Sequence, residues 1–143
     1  MLNGTSCVSS AVLLDTNALI WLLQGGERLG RGARELVETA LREERLLASA
    51  FSFWEVAMLV AHGRLSLAEP VAAWRFHVLE RGIREIPVSG DIGIQAANLE
   101  NFHRDPADRI IAATAILQRA VLVTADANIL RWKGNLQRHN AQS

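Results

Sequence analysis

The sequence predicts an α/β protein, a three-layer α/β/α sandwich in which helices cover both faces of a short parallel sheet. Three observations predict it. Short apolar runs recur at 11–14, 46–48 and 120–123, as strands buried on both faces require. Segments with helical apolar spacing lie between them. The resulting order of strand, helix, strand, helices, strand, helix, helix, strand is the alternation that right-handed crossovers join into a parallel sheet.

The first strand candidate, Ala11-Val12-Leu13-Leu14, runs into Asp15-Thr16-Asn17. Thr16 or Asn17 is positioned to cap a helix through residues 18–23. Glycines then mark a loop over 24–30. Apolar residues at Ala33, Leu36, Val37, Ala40 and Leu41 place a helix over 31–44, and a second strand is expected at Leu46-Leu47-Ala48, ending at Ser49. A helix over 50–62 carries Glu55 between apolar neighbours, and another spans 67–81, started by Ser66 or Glu69-Pro70. Residues 83–88 form the third strand candidate, followed by a helix over 91–98. Asp105 is an apt N-cap for the next helix, with Pro106 at its first position and Asp108 in its first turn. Ala120 to Thr124 is the fourth strand candidate, with Asp126 just after it. The expected division is a flexible lead-in over 1–10, one domain over 11–136 and a polar tail over 137–143.

Composition narrows the function classes. At 143 residues, half of them apolar, the chain is long enough for one well-packed core. Fifteen basic and fifteen acidic side chains cancel, so any contact with nucleic acid or anionic membrane has to come from a local patch. Cys7 is the single cysteine, which excludes an intrachain disulfide and suits a reducing compartment. No apolar run reaches the roughly 18 residues of a membrane helix, and residues 1–10 lack the pattern of a secretory signal. A soluble, cytoplasmic protein is the expectation.

Asp15 follows the first expected strand, Glu55 lies in the helix after the second, Asp108 in the first turn of its helix and Asp126 after the last core strand, junctions that a parallel sheet gathers on one edge. That edge is where open α/β sheets bind ligands. Like charges about 4 Å apart repel by roughly 1 kcal/mol in water and about 4 kcal/mol at an effective dielectric of 20. Protonation or a hard divalent cation relieves such crowding, and a carboxylate set suits Mg²⁺ or Mn²⁺. Zinc is disfavoured without a Cys/His cluster. A centre of this kind activates water for in-line attack on a phosphodiester.

These residues carry a resemblance. Leu13-Leu14-Asp15-Thr16-Asn17, Ser52-Phe53-Trp54-Glu55, His103-Arg104-Asp105-Pro106-Ala107-Asp108-Arg109 and Leu122-Val123-Thr124-Ala125-Asp126, in this order and at this spacing, resemble the PIN-domain ribonucleases, and within them the VapC toxins of toxin–antitoxin pairs. The resemblance runs from about Ala11 to Leu136. It implies a PIN-like sandwich and a metal-dependent endoribonuclease in which Asp15, Glu55, Asp108 and Asp126 hold Mg²⁺ or Mn²⁺. It also implies polar helpers at Thr16, Asn17 and Thr124, a cognate antitoxin that blocks the site, and a homodimer.

Each residue also has a structural reading. Asp15 and Asp126 serve as N-caps, Glu55 faces solvent, Asp108 answers the helix dipole, and Asp105 is better explained as a cap than as a ligand. His103 is a surface histidine or a general base. Trp54 and Trp74 belong to core or interface rather than to base stacking. Arg104, Arg109, Arg131, Lys133 and Arg138 form either a rim contacting RNA phosphates or a solvated face. The large apolar residues over 51–81 suggest a dimer interface or an antitoxin groove. Two other enzyme or signalling classes fit poorly. A receiver domain needs a lysine late in the sheet, whereas Lys133 lies past the last core strand. A haloacid-dehalogenase-type phosphatase needs a second Asp where Asn17 stands. The remaining rival is a catalytically silent PIN-like module that binds RNA or a protein without cutting.

Overall fold

The computed structural model describes residues 9–143; most of the lead-in expected over 1–10, including Cys7, lies outside the described residues. Five parallel strands stand in the order β3-β2-β1-β4-β5: β1 Val12–Leu14, β2 Leu46–Ser49, β3 Arg84–Ile86, β4 Val121–Thr124 and β5 Arg138–Asn140. Between them run α1 Thr16–Gln24, α2 Arg31–Arg42, α3 Ala50–Ala61, α4 Val71–Glu80, α5 Gly90–Ala97, α6 Pro106–Gln118 and α7 Ala127–Arg131. β1 is central, with Leu13 level with Leu47 on one side and Leu122 on the other.

Strand alternation divides the core between the two faces. Val12 and Leu14 pack with Leu19, Val37, Val56 and Val78 from α1 to α4. Leu13, Leu47 and Leu122 meet Ile111, Ala112 and Ala115 of α6 and Ile129 of α7 on the other face. Ile92 and Ala96 of α5 join through Ala113. All of these side chains are buried, so the three-layer sandwich follows from the three central strands β2, β1 and β4, which have no polar face to offer solvent.

Four details differ from the sequence reading. The tail expected over 137–143 instead supplies β5, paired with β4 from Leu122↔Arg138 to Thr124↔Asn140. An edge strand meets solvent on one side, so Arg-His-Asn shows no apolar run. Ala141 beyond it is fully buried, and the segment docks on α2, where Gly30 N–H donates to Ala141 O at 2.8 Å and Ala33 N–H to Ser143 O at 3.0 Å. The helix expected over 67–81 starts only at Val71, because the residue preceding Pro70 is disfavoured from helical geometry. β3 ends at Ile86 because Pro87 has no N–H for the ladder. The cap of α1 is Asp15, neither Thr16 nor Asn17: Ala18 N–H donates to Asp15 Oδ1 at 2.8 Å.

Candidate metal centre

Asp15 is the junction between β1 and α1, so its carboxylate stands at the carboxyl edge of the sheet, with both oxygens fixed. While Oδ1 caps α1, Oδ2 accepts the Thr124 hydroxyl at 2.6 Å. Thr124 is fully buried at the end of β4, the strand beside β1. Its Oγ1 also accepts Asp126 N–H at 3.0 Å, which ties the first acid to the fourth. Asp126 caps α7 through Ile129 N–H at 3.0 Å.

Glu55 enters from the second turn of α3, a helix started by Ser49, whose hydroxyl accepts Phe51 N–H at 3.0 Å. Thr16 donates its hydroxyl to Glu55. Having one proton to give, Thr16 leaves the Ser52 hydroxyl, 2.8 Å away, to donate to it. Asp108 enters from the first turn of α6, with His103 Nε2 at 2.7 Å from its Oδ2. The four acids, with Thr16 and Asn17, line one open cleft of about 650 Å³. Asp105 is exposed and caps α6 by accepting Ala107 N–H at 2.9 Å.

Crowding and burial shift the protonation of this group. Burial is the largest effect on Asp15 and pushes it up to about 6 despite the Thr124 and Ala18 bonds, with Asp108 and Glu55 adding repulsion. Glu55 is raised by burial and by Asp108 and Asp105, against the Thr16 bond. Asp108 is raised by burial and by Asp105 and Asp126, against the His103 bond. Among the described residues, no arginine or lysine lies within ion-pair distance of any of the four acids; the one partner is His103.

The donor set fits a hard divalent cation. His103, Asp108 and Asp126 each offer one ligand atom, and these lie within 4.8 Å of one another, while Asp15 and Glu55 open onto the same cleft. With His103 Nε2 engaged by Asp108 Oδ2, the atoms left to face an ion are carboxylate oxygens, which suits Mg²⁺ or Mn²⁺ better than a soft-ligand metal.

The cations proposed as an RNA rim separate into two groups. Arg109 faces inward and donates to the carbonyls of Ala96 at 2.8 Å, Phe102 at 2.8 Å, His103 at 2.9 Å and Leu99 at 3.3 Å. Arg138 likewise donates to Ile129 O and Trp132 O, both at 2.7 Å, and to Gly134 O at 3.1 Å. Both guanidiniums satisfy backbone carbonyls that helices and loops leave open, so neither is a phosphate contact. Arg104 is exposed, as are Arg131 and Lys133; the latter two border a second cavity, of about 810 Å³, rather than the acidic cleft.

The cleft also holds residues that the sequence reading did not place there. Trp54 and Met58 of α3 and His62 at its C-cap line it at helical spacing, with Arg64 just beyond. That stripe was visible as i, i+4, i+8 but reads equally as core. Trp54 is 56% exposed, whereas Trp74 is buried edge-to-face against Phe53 at 5.9 Å.

Comparisons with known proteins bear on this geometry. The family model for the PIN domain matches residues 12–135. The chain is similar to Ribonuclease VapC22 of Mycobacterium tuberculosis, 34% identical over 121 residues that cover 84% of this chain and 90% of the relative. Among solved structures it is similar in fold to a toxin–antitoxin complex from Klebsiella pneumoniae, with TM-score 0.63 and 22% identity over 92% of this chain and 98% of that one. It is also similar in fold to VapBC2 from Rickettsia felis bound to a promoter DNA fragment, with TM-score 0.68 and 17% identity over 91% and 98%. The family match begins at β1 and takes in every acid of the cleft, and the relative sharing 34% of its residues spans most of both chains: this chain belongs to the PIN-domain family, among the VapC-type ribonucleases.

Proposed function

We propose that the protein is an endoribonuclease that depends on Mg²⁺ or Mn²⁺, and that it acts as the toxin of a toxin–antitoxin pair. The observation that carries the chemistry is that Asp15, Glu55, Asp108 and Asp126, distant in sequence, line one cleft with no arginine or lysine among the described residues within ion-pair distance of them. Asp15, Glu55, Asp108 and Asp126 are the residues that would hold the ion. When bound, it supplies an activated water and positive charge for the leaving oxygen of the phosphodiester.

The chain's own groups set the geometry. Thr124 and the Ala18 N–H of α1 fix both oxygens of Asp15, so this carboxylate has no freedom to turn away. Thr16 of α1 fixes Glu55 by a hydroxyl bond, and Ser52 in turn holds Thr16. Arg64, lining the same cleft, supplies a cation for a phosphate flanking the scissile one. A cognate antitoxin and a second copy of the chain are the expected partners, and the cytoplasm the expected compartment. No helix among the described residues is long and apolar enough to cross a membrane.

The assay is cleavage of single-stranded RNA with Mg²⁺ or Mn²⁺, an EDTA control, and Asp15→Asn. Cleavage that EDTA stops and Asp15→Asn abolishes, with the circular dichroism spectrum unchanged, is the expected result. Full activity in Asp15→Asn, or RNA binding with no cleavage by the native chain, would contradict the proposal.

A further inference from the structure

His103 reaches Asp108 from a loop rather than from a helix or strand, so something must hold that loop. Arg109 does. Its four hydrogen bonds end on carbonyls at the end of α5 (Ala96) and along the loop that follows it (Leu99, Phe102, His103), and its guanidinium lies 5.7 Å from the Phe102 ring centroid. Phe102 is buried and stacks flat on the His103 imidazole, at 4.7 Å between centroids and 19° between planes. Phe102 also meets Trp132 edge-to-face at 5.1 Å between centroids, and the Trp132 indole N–H is tied to Glu100 O at 2.9 Å. Ring plane, ring depth and loop path of His103 are thus all set from behind.

We propose that Arg109 is a positioning residue that acts through the 99–103 loop to aim His103 Nε2–H at Asp108 Oδ2, which would leave the other carboxylate oxygen of Asp108 available to hold a cation. An ionised carboxylate only accepts, so the proton of this bond sits on Nε2 whenever Asp108 is charged. The role is that of an outer partner which orients a ligating carboxylate; loss of such partners typically weakens metal binding about 10–100-fold. Lysine does not substitute for Arg109, because a compact ammonium lacks the planar fork that reaches several carbonyls at once. This inference rests on the reading of the acidic cleft as a cation site.

The test is calorimetric titration of Mn²⁺ alone into the full chain at pH 7.5, with thermal unfolding measured in parallel. His103→Ala is expected to weaken Mn²⁺ binding about 10–100-fold. His103→Gln keeps an N–H donor at similar reach and is expected to restore most of it. Arg109→Lys is expected to weaken binding as His103→Ala does, and the double variant to be no worse than either alone, the non-additivity of two residues acting as a unit. If Arg109→Lys does not fold, the Ala and Gln variants of His103 still decide. Mn²⁺ binding unchanged in His103→Ala, with only a lowered Tm, would overturn the inference and make the histidine a packing residue. Absence of Mn²⁺ binding by the native chain would overturn the cation reading itself, a distinct failure.

Discussion

Asp15 shows most directly what the cleft demands of one residue. Its carboxyl is pushed up to about 6 from an ordinary 3.8, chiefly by burial, and one pKa unit corresponds to about 1.4 kcal/mol. Without a cation, the folded state therefore holds a proton on Asp15 that the unfolded state has already lost. Metal-free stability falls from this group as pH rises from about 4 to about 6, by on the order of 3 kcal/mol, and stays lower above that. Asparagine keeps an oxygen for Ala18 N–H and cannot ionise. Urea unfolding in EDTA should accordingly show Asp15→Asn gaining about 3 kcal/mol relative to the native chain between pH 4 and pH 7. A constant difference across that range would mean Asp15 is not strained by its surroundings. Asp15, Asp108 and Asp126 were legible in the sequence, because a carboxylate directly after a buried strand or in a first helical turn is a local pattern, and Glu55 stood out by its apolar neighbours. His103 was not, since its approach to Asp108 depends on where Arg109 sends four hydrogen bonds, and no spacing rule encodes that. Arg109 and Arg138 were misread for the same reason: a cation in a polar stretch looks the same whether it meets phosphate or a backbone carbonyl.

At the scale of elements, the four strands with apolar runs were legible and the fifth was not. β5 is held by backbone pairing to β4 and by the docking of residues 141–143 on α2, contacts that make no demand on side-chain hydropathy. Gly30 shows how close that docking is. A Cβ there would fall 2.5 Å from the Gln142 carbonyl carbon and 2.6 Å from the Ser143 nitrogen, distances that backbone must move to relieve. Gly30→Ala should lower stability by about 1–3 kcal/mol, the range for overpacking, as read from urea or thermal unfolding. Unchanged stability would mean that the segment after β5 does not dock there. α3 and α4 bear on partners. Phe53 and Trp74 pack inward against each other, but Trp54 and Phe76 remain 56% and 60% exposed, so the apolar surplus read in residues 51–81 reduces to two exposed rings.

For the whole molecule, charge balance sets how RNA is held. Fifteen cations against fifteen anions give no general attraction, Arg109 and Arg138 are committed to carbonyls, and among the described residues Arg64 is the one cation that lines the cleft. Counterion release contributes a slope of about −0.7 per neutralised phosphate for single strands. Binding of single-stranded RNA to the Asp15→Asn chain should therefore depend weakly on salt, with a log–log slope of about −1 to −2, and Arg64→Ala should make it shallower by about 0.7. A steep slope, or one indifferent to Arg64, would place the RNA on another surface.

The central claim is that four carboxylates tolerate one another because a divalent cation joins them. Thermal and urea unfolding with and without Mn²⁺ tests it most directly, because a ligand of the native state alone stabilises by about 2.7 kcal/mol at a hundredfold excess over Kd. The native chain should gain that stability at pH 7.5, and Asp15→Asn should gain little or none. Equal stabilisation of both chains, or none of the native one, would contradict the account.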